Sequence, residues 1–282
     1  MRPSYTGTHP LDDGRWLQWV RYGDPTAPPV LSFHGAPGSR FEAEIYSRAA
    51  EYFGVQVVCL SRPGFGLSTW RPKRQVADFI DDIEHFVAAQ GWSRFGVVGY
   101  SAGGAYALGT ALRLPERVTG VGLMAPAGPP EYTGTLMGPN LAVFAGAAAV
   151  AGPLGRNRVF TSARHGVGRR LDRGFGLPDA SGDAFLDSVV GAFLRGPRGV
   201  VRDLALVLFN WGFDPAQLDP SIPVTMWQGR RDSSVPWRGS MRLARRIPNC
   251  EFHLDRTANH FSIYTRHADE VLGKLAGYAI AT

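Results

Sequence analysis

The stretch Arg94-Phe95-Gly96-Val97-Val98-Gly99-Tyr100-Ser101-Ala102-Gly103-Gly104-Ala105-Tyr106-Ala107-Leu108 decides the fold. Phe95 to Tyr100 is a short apolar run with two β-branched valines, the pattern of a strand covered on both faces. Ala102 to Leu112 is rich in Ala and Leu, which favours helix. Between them Gly99-Tyr100-Ser101-Ala102-Gly103 reads G-x-S-x-G on a strand-to-helix turn. Small residues two positions either side of the apex let strand and helix approach closely. They also force the apex residue into a strained backbone, tolerated mainly where function requires it. Ser101 then presents its hydroxyl above the sheet, at the positive end of the following helix. Without the strand and helix around it, the same pattern reads as a Gly-rich helix start with a serine cap.

Outward from this turn the chain alternates. A hairpin is expected from His9 to Val20, with Asp13-Gly14 as a type I′ turn. Pro29 to Phe33 is a strand leading into His34-Gly35-Ala36-Pro37-Gly38-Ser39, followed by a helix from about Phe41 to Phe53. Val55 to Leu60 is a buried strand ending in Ser61-Arg62-Pro63-Gly64-Phe65-Gly66-Leu67-Ser68. Lys73 to Gln90 is an amphipathic helix, and Val118 to Met124 is a strand. Such alternation implies a mostly parallel, doubly wound α/β sheet with right-handed crossovers. Ligands on such sheets sit beyond the carboxyl ends of the strands. The His34 loop, the Ser61 loop and Ser101 should therefore converge on one face.

After Pro130 the alternation stops. From Glu131 to Asp219 no strand pattern is evident; a small-residue apolar helix (Leu141 to Ala151), a basic stretch and amphipathic segments (Ala184 to Leu194, Val200 to Phe209) read as a helical cap. Residues 1–130 and 220–282 are then the core, and 131–219 an insertion. The core resumes with a strand at Val224 to Trp227, a helix at Gly239 to Arg246, a strand at Glu251 to Leu254 and a last helix from about Ile263 to Ile280.

A serine hydroxyl needs a base within hydrogen-bond reach, and that base needs an orienting acid. Asp232 follows the Val224 strand and His260 follows the Glu251 strand, giving the order Ser, Asp, His. His253 lies within a strand and His267 within a helix, so neither is on the required loop. The tetrahedral intermediate needs two donors. The N–H of Ala102 is one and that of Ala36 the other, since Pro37 has none. His34 is expected chiefly to hold its loop, with a substrate contact as the alternative; Tyr100, Phe144 and Trp211 are further substrate-contact expectations. The pairing of Phe160, Phe185, Phe193 and Phe209 with these under the cap suits an apolar pocket, although such residues more often form core.

These motifs resemble the α/β-hydrolase family over essentially the whole chain. They are His34-Gly35-Ala36-Pro37-Gly38, Arg62 to Ser68, Gly99 to Gly104, Gly229 to Pro236 and Asn259-His260. The resemblance implies the α/β-hydrolase fold, an eight-stranded sheet with a cap, with Ser101 as nucleophile, Asp232 as acid and His260 as base. Within the family the chain looks like the capped esterase-like branch. Epoxide hydrolases and dehalogenases use an aspartate nucleophile, so Ser101 argues against both. Ser61 replaces the aspartate usual before Arg-Pro-Gly, which should remove a structural hydrogen-bond network.

Composition sets limits. The chain has 282 residues, 44% hydrophobic and 19% charged, as in a globular protein. The formal charge is +6, but all basic residues except Lys73 and Lys274 are scattered arginines, which favours compositional bias over nucleic-acid binding. Residues 132–171 carry no acid but include Arg156, Arg158, Arg164, Arg169 and Arg170; they read as solvated surface, or alternatively as a site for an acidic substrate group. Cys59 and Cys250 show no metal spacing and fit a reducing compartment. No signal peptide or membrane span is apparent. The expectation is a cytoplasmic serine hydrolase with no metal or organic cofactor and a small-molecule acyl substrate: a carboxylic ester, lactone or thioester. Carbon–carbon bond hydrolysis or acyl transfer on the same triad, and a non-catalytic ligand-binding protein on this scaffold, are the alternatives.

Overall fold

The computed structural model describes residues 3–133 and 181–280. Eight strands form one sheet: β1 (Tyr5–Pro10), β2 (Trp16–Tyr22), β3 (Pro29–Phe33), β4 (Gln56–Leu60), β5 (Phe95–Tyr100), β6 (Val118–Met124), β7 (Val224–Gly229) and β8 (Cys250–Asp255). Their spatial order is β1-β2-β4-β3-β5-β6-β7-β8. The β1–β2 and β2–β4 pairs are antiparallel and every other pair is parallel. The order reverses between β3 and β5, and that switch point is where the loops after the two strands splay apart to leave a crevice.

The strands explain themselves by period. In β3, Leu31 and Phe33 face one layer and Val30 the other; in β5, Val97 and Val98 divide the same way. One layer is closed by α2 (Val76–Ala89) and α3 (Gly103–Arg113), which contribute Phe79, Ile83, Phe86, Tyr106 and Leu108. The other is closed by α1 (Ser47–Phe53) and the last helix, His260–Ile280, through Ala49, Ala50, Ile263, Val271, Leu272 and Leu275. Both faces are thus covered, and the central strands are predominantly apolar, as is usual for buried parallel strands.

Two local expectations change. The β1–β2 connection is not a type I′ turn. Pro10 pairs with Trp16, the Gly14 N–H donates to Leu11 O and the Leu11 N–H to Arg15 O. Of the two turn residues only Gly14 has positive φ, at 80°, whereas type I′ needs both. Leu11 and Arg15 remain hydrogen-bonded, so the loop they enclose is Asp12-Asp13-Gly14, with Gly14 as its left-handed last residue. The helix expected from Phe41 begins as a 3-10 helix, Arg40–Tyr46, before α1. Its tighter turn lets Glu42 reach back to the loop after β3.

Between β6 and β7 the described elements are helical: α4 (Pro130–Thr133), α5 (Ser181–Ala192), α6 (Arg198–Phe209) and a 3-10 turn at Pro215–Gln217. Helix α7 (Trp237–Arg246) follows β7, and α8 is the last helix, His260–Ile280. The apolar helix expected over Leu141 to Ala151, Phe144, Phe160 and the arginines from Arg156 to Arg170 lie outside the described residues.

Helices α5 and α6 dock directly on the loops that follow β3 and β4. The Ser39 N–H donates to Ser188 Oγ on α5 at 2.7 Å, and that hydroxyl donates to Ser39 O at 3.3 Å. A Cβ on Gly199 of α6 would stand 2.3 Å from Gly64 O, and one on Gly64 would stand 3.0 Å from Gly199 Cα. Glycine at both positions is what allows this backbone-to-backbone contact. Phe193 and Val200 close around Phe65 in a satellite cluster beneath it.

Candidate active site

The turn between β5 and α3 has the form its glycines require. Ser101 has φ 51°, in the left-handed region that L-residues rarely occupy. Its N–H donates to Met124 O on β6, which fixes the turn to the sheet. A Cβ on Gly103 would lie 1.9 Å from Phe33 O, and one on Gly99 would lie 2.5 Å from Gly103 O. Both distances are impossible, so the two glycines are a steric condition for the apex at Ser101.

Three of the residues singled out in the sequence meet there. Ser101 Oγ lies 3.1 Å from His260 Nε2, and His260 Nδ1 lies 2.7 Å from Asp232 Oδ2. Asp232 is held tightly. Its Oδ1 accepts the N–H groups of Ser234 (2.8 Å) and Val235 (2.7 Å), and its Oδ2 accepts Gln228 Nε2 (3.0 Å). Gln228 is fixed in turn by Ser240 Oγ, which donates to its Oε1 at 2.7 Å. A carboxylate with four hydrogen-bond partners has one orientation available. The imidazole it faces is then held with Nε2 towards Ser101. All three side chains are largely buried.

His260 is the first residue of α8, and Tyr100 packs behind it. The Tyr100 ring is 5.2 Å from the imidazole and stacks on Tyr264 at 4.4 Å, while its hydroxyl donates to His260 O. Tyr100 is thus placed as a backing for the imidazole. Phe261 stands edge-on to His260, and Phe185 of α5 stands edge-on to Phe261.

The other proposed substrate contacts fare differently. His34 is fully buried with both ring nitrogens engaged. Nδ1 bonds to Gly35 O at 2.8 Å and Nε2 accepts the Arg62 N–H at 3.3 Å. Burial, aided by the charge of Arg62, holds its pKa well below the ordinary histidine value, so it is neutral and fastens its loop. Trp211 packs in the main core against Tyr132 and Phe213, with its indole N–H on Val207 O one turn back. It is 2% exposed, which leaves no surface for a ligand. Phe209, by contrast, is 66% exposed and Phe193 lies in the satellite cluster.

The amide candidates for an oxyanion are arranged as follows. Ala102 caps α3, where the first N–H groups have no acceptor within the helix. In the loop after β3 the Gly35 N–H is taken by Glu42 Oε1 at 2.8 Å, so between Gly35 and Pro37 the remaining donor is Ala36. Burial pushes Glu42 up to about 8, against the opposing pull of the Gly35 N–H and Arg62.

Ser61 does not dissolve the network expected of an aspartate. Its Oγ accepts the Arg40 N–H, and Gln18 Oε1 accepts both Arg40 Nη1 and the Leu67 N–H. These hydrogen bonds, one of them from the Arg40 guanidinium, hold the loop without a carboxylate.

Sequence reasoning missed one feature beside the site. Arg62, Arg74 and Asp203 are all completely buried and paired. Arg62 Nη2 lies 2.7 Å from Asp203 Oδ2, an ion pair whose angles do not make a hydrogen bond. Arg74 Nη2 and Tyr106 Oη donate to Asp203 Oδ1 at 2.5 and 2.6 Å. Burial works to raise the pKa of Asp203, but the two guanidinium charges and these hydrogen bonds outweigh it and hold it at about 2.

A family model described as alpha/beta hydrolase fold matches residues 28–266, and the chain belongs to that family. It is 29% identical over 267 residues to "Abhydrolase domain-containing protein abhd-5.2" of Caenorhabditis elegans, covering 88% of this chain and 58% of that protein, so the chain spans little more than half of this relative's length. It is 29% identical over 242 residues to the "Magnesium-chelatase 30 kDa subunit" of Rhodobacter capsulatus, covering 82% and 81% of the two. Among solved structures, the esterase RhEst1 from Rhodococcus sp. ECU1013 superposes with a TM-score of 0.69 at 18% identity, over 98% of each chain. That last likeness is one of fold.

Among the described residues no group of three or more His, Cys, Asp or Glu could hold a metal ion, and no helix is long and apolar enough to cross a membrane.

Proposed function

We propose that the protein is a serine hydrolase that cleaves an acyl bond, most directly a carboxylic ester, lactone or thioester, through an acyl-enzyme on Ser101. The observation that carries this reading is the line from Ser101 Oγ through His260 to Asp232, at 3.1 and 2.7 Å, with Ser101 at the strained apex. Ser101 Oγ attacks the acyl carbon as its proton passes to His260 Nε2. The carbonyl electron pair moves onto oxygen, which the Ala36 and Ala102 N–H groups receive. Collapse expels the leaving group, which takes the proton from His260. Water then attacks the acyl-Ser101 ester, its proton again going to His260. Release of the acid returns that proton to Ser101 Oγ. Asp232 keeps Nδ1 paired and stabilises the imidazolium at each stage.

In this reading residues 131–219 form a cap, of which α5 and α6 are the portion seated on the loops after β3 and β4. Both cysteines are free, which fits a cytoplasmic setting.

The test is a fluorophosphonate probe with peptide mapping, run beside hydrolysis of short p-nitrophenyl esters. Label on Ser101, lost together with ester turnover in Ser101→Ala at unchanged thermal stability, is expected. Turnover that survives in Ser101→Ala would refute the mechanism. Product analysis in 18O-labelled water separates hydrolysis from acyl transfer and carbon–carbon cleavage. The alternative of another class is a non-catalytic ligand-binding protein on this scaffold; the Rhodobacter relative, by its name, works as one subunit of a magnesium chelatase. Wild-type protein that is folded yet unlabelled would select that alternative.

A further inference from the structure

The charge cluster around Asp203 touches the loop that carries the Ala36 amide. Arg62 Nη1 donates to His34 O and Arg62 Nη2 to Gly35 O at 2.9 Å. His34 Nδ1 also bonds to Gly35 O. Gly35 C=O and Ala36 N–H belong to one planar peptide group, so whatever fixes the carbonyl fixes the direction of the amide. A cationic donor on the oxygen also withdraws electron density and makes the N–H on the other side a stronger donor, because linked hydrogen bonds reinforce one another. The charge count points the same way. Arg62, Arg74 and Asp203 are all completely buried, and two cations with one anion leave a positive surplus against that carbonyl.

We propose that Arg62 is a positioning residue that aims and polarises the Gly35–Ala36 peptide towards the developing oxyanion, and that Asp203 on α6 holds Arg62 to this task. The inference rests on the ester-hydrolysis reading above. Arg62 lies on the loop where Gly64 meets Gly199 of α6, so its guanidinium is clamped from the helix as well as from the core. The Phe65 and Tyr106 rings, 5.0 and 4.8 Å from its guanidinium carbon, flank the remaining sides. A planar fork that serves two carbonyls and a carboxylate at once is a task for arginine and not for lysine.

Arg62→Met is the informative variant, because Asp203 keeps Arg74 and Tyr106 and the cluster becomes neutral instead of carrying an unpaired ion. Active sites are counted with a fluorophosphonate, and kcat and KM for a p-nitrophenyl ester are expressed per labelled site. Losing a direct oxyanion donor costs about a hundred- to a thousandfold in kcat, so loss of its support should cost about ten- to a hundredfold, with KM within about twofold. Ki for a trifluoromethyl ketone, which forms an oxyanion on the serine, should rise by the same factor. A purely structural role would lower the melting temperature and the labelled fraction while leaving kcat per site alone, and that result overturns the proposal. Should Arg62→Met not fold, Arg62→Lys decides, since wild-type kcat per site in that variant refutes the need for the fork. Wild-type protein that fails to label at all sinks the serine reading itself, which is a different outcome from normal labelling with undiminished turnover in the Arg62 variants.

Discussion

Glu42 offers a test that depends on no assumption about substrate. Its carboxyl is buried under the loop after β3, with Oε1 on the Gly35 N–H, and burial lifts its pKa from 4.5 to about 8. The unfolded chain therefore releases this proton at much lower pH than the native protein. Between those values the native state binds more protons, so stability falls as pH rises through the window and levels off above it. The linkage relation gives a cost of about 1 kcal/mol at pH 5.5 and about 4–5 kcal/mol at pH 8.5. Glu42→Gln retains an oxygen for the Gly35 N–H and has nothing to ionise. Any packing penalty of the amide is the same at both pH values and cancels in the comparison. Urea unfolding of both proteins at pH 5.5 and 8.5 should thus show the variant gaining about 3 kcal/mol on wild type between the two. A stability difference that does not change with pH would refute the argument, and with it the neutral form of Glu42 at neutral pH.

Three further outcomes are expected. Asp232→Asn preserves size but loses the charge that orients His260, and kcat for a p-nitrophenyl ester should fall about ten-thousandfold; a loss below tenfold would remove Asp232 from the relay. Gly103→Ala places a methyl where Phe33 O already stands, so calorimetry should show a melting temperature lower by about 6–12 °C or more; an unchanged melting temperature would mean that the turn can relax. The activity of wild type should decline above about pH 8 as Glu42 gains charge beside the Ala36 peptide, and the alkaline decline should be absent from Glu42→Gln.

What the sequence disclosed depended on how local the determining physics is. The turn at Ser101 was legible because Gly99, Gly103 and the flanking strand and helix are contiguous, and the steric rule acts within a few residues. Asp232 and His260 were legible as the residues that follow two apolar strands, and the fold brings both within hydrogen-bond distance of their expected neighbours. Asp203 was not legible. A single acid on an amphipathic helix reads as solvent-facing, and only a partner 129 residues away makes it a buried ion. Trp211 misled for a related reason: an aromatic beside an apolar helix suits pocket and core equally, and the indole bond to Val207 O belongs to the core. The Asp13-Gly14 turn was decided by strand register, set by pairing along the whole hairpin and not by the dipeptide.

The contact between Gly64 and Gly199 has a consequence for anyone who wishes to retune the protein. Neither residue can accept even a methyl group without moving main chain, so random variation at this junction should return almost nothing but losses. Val201 and Phe209 on the same helix are 63% and 66% exposed and carry no such restriction. A library confined to that outward side would vary the surface of the helix while the seam beneath it stays intact.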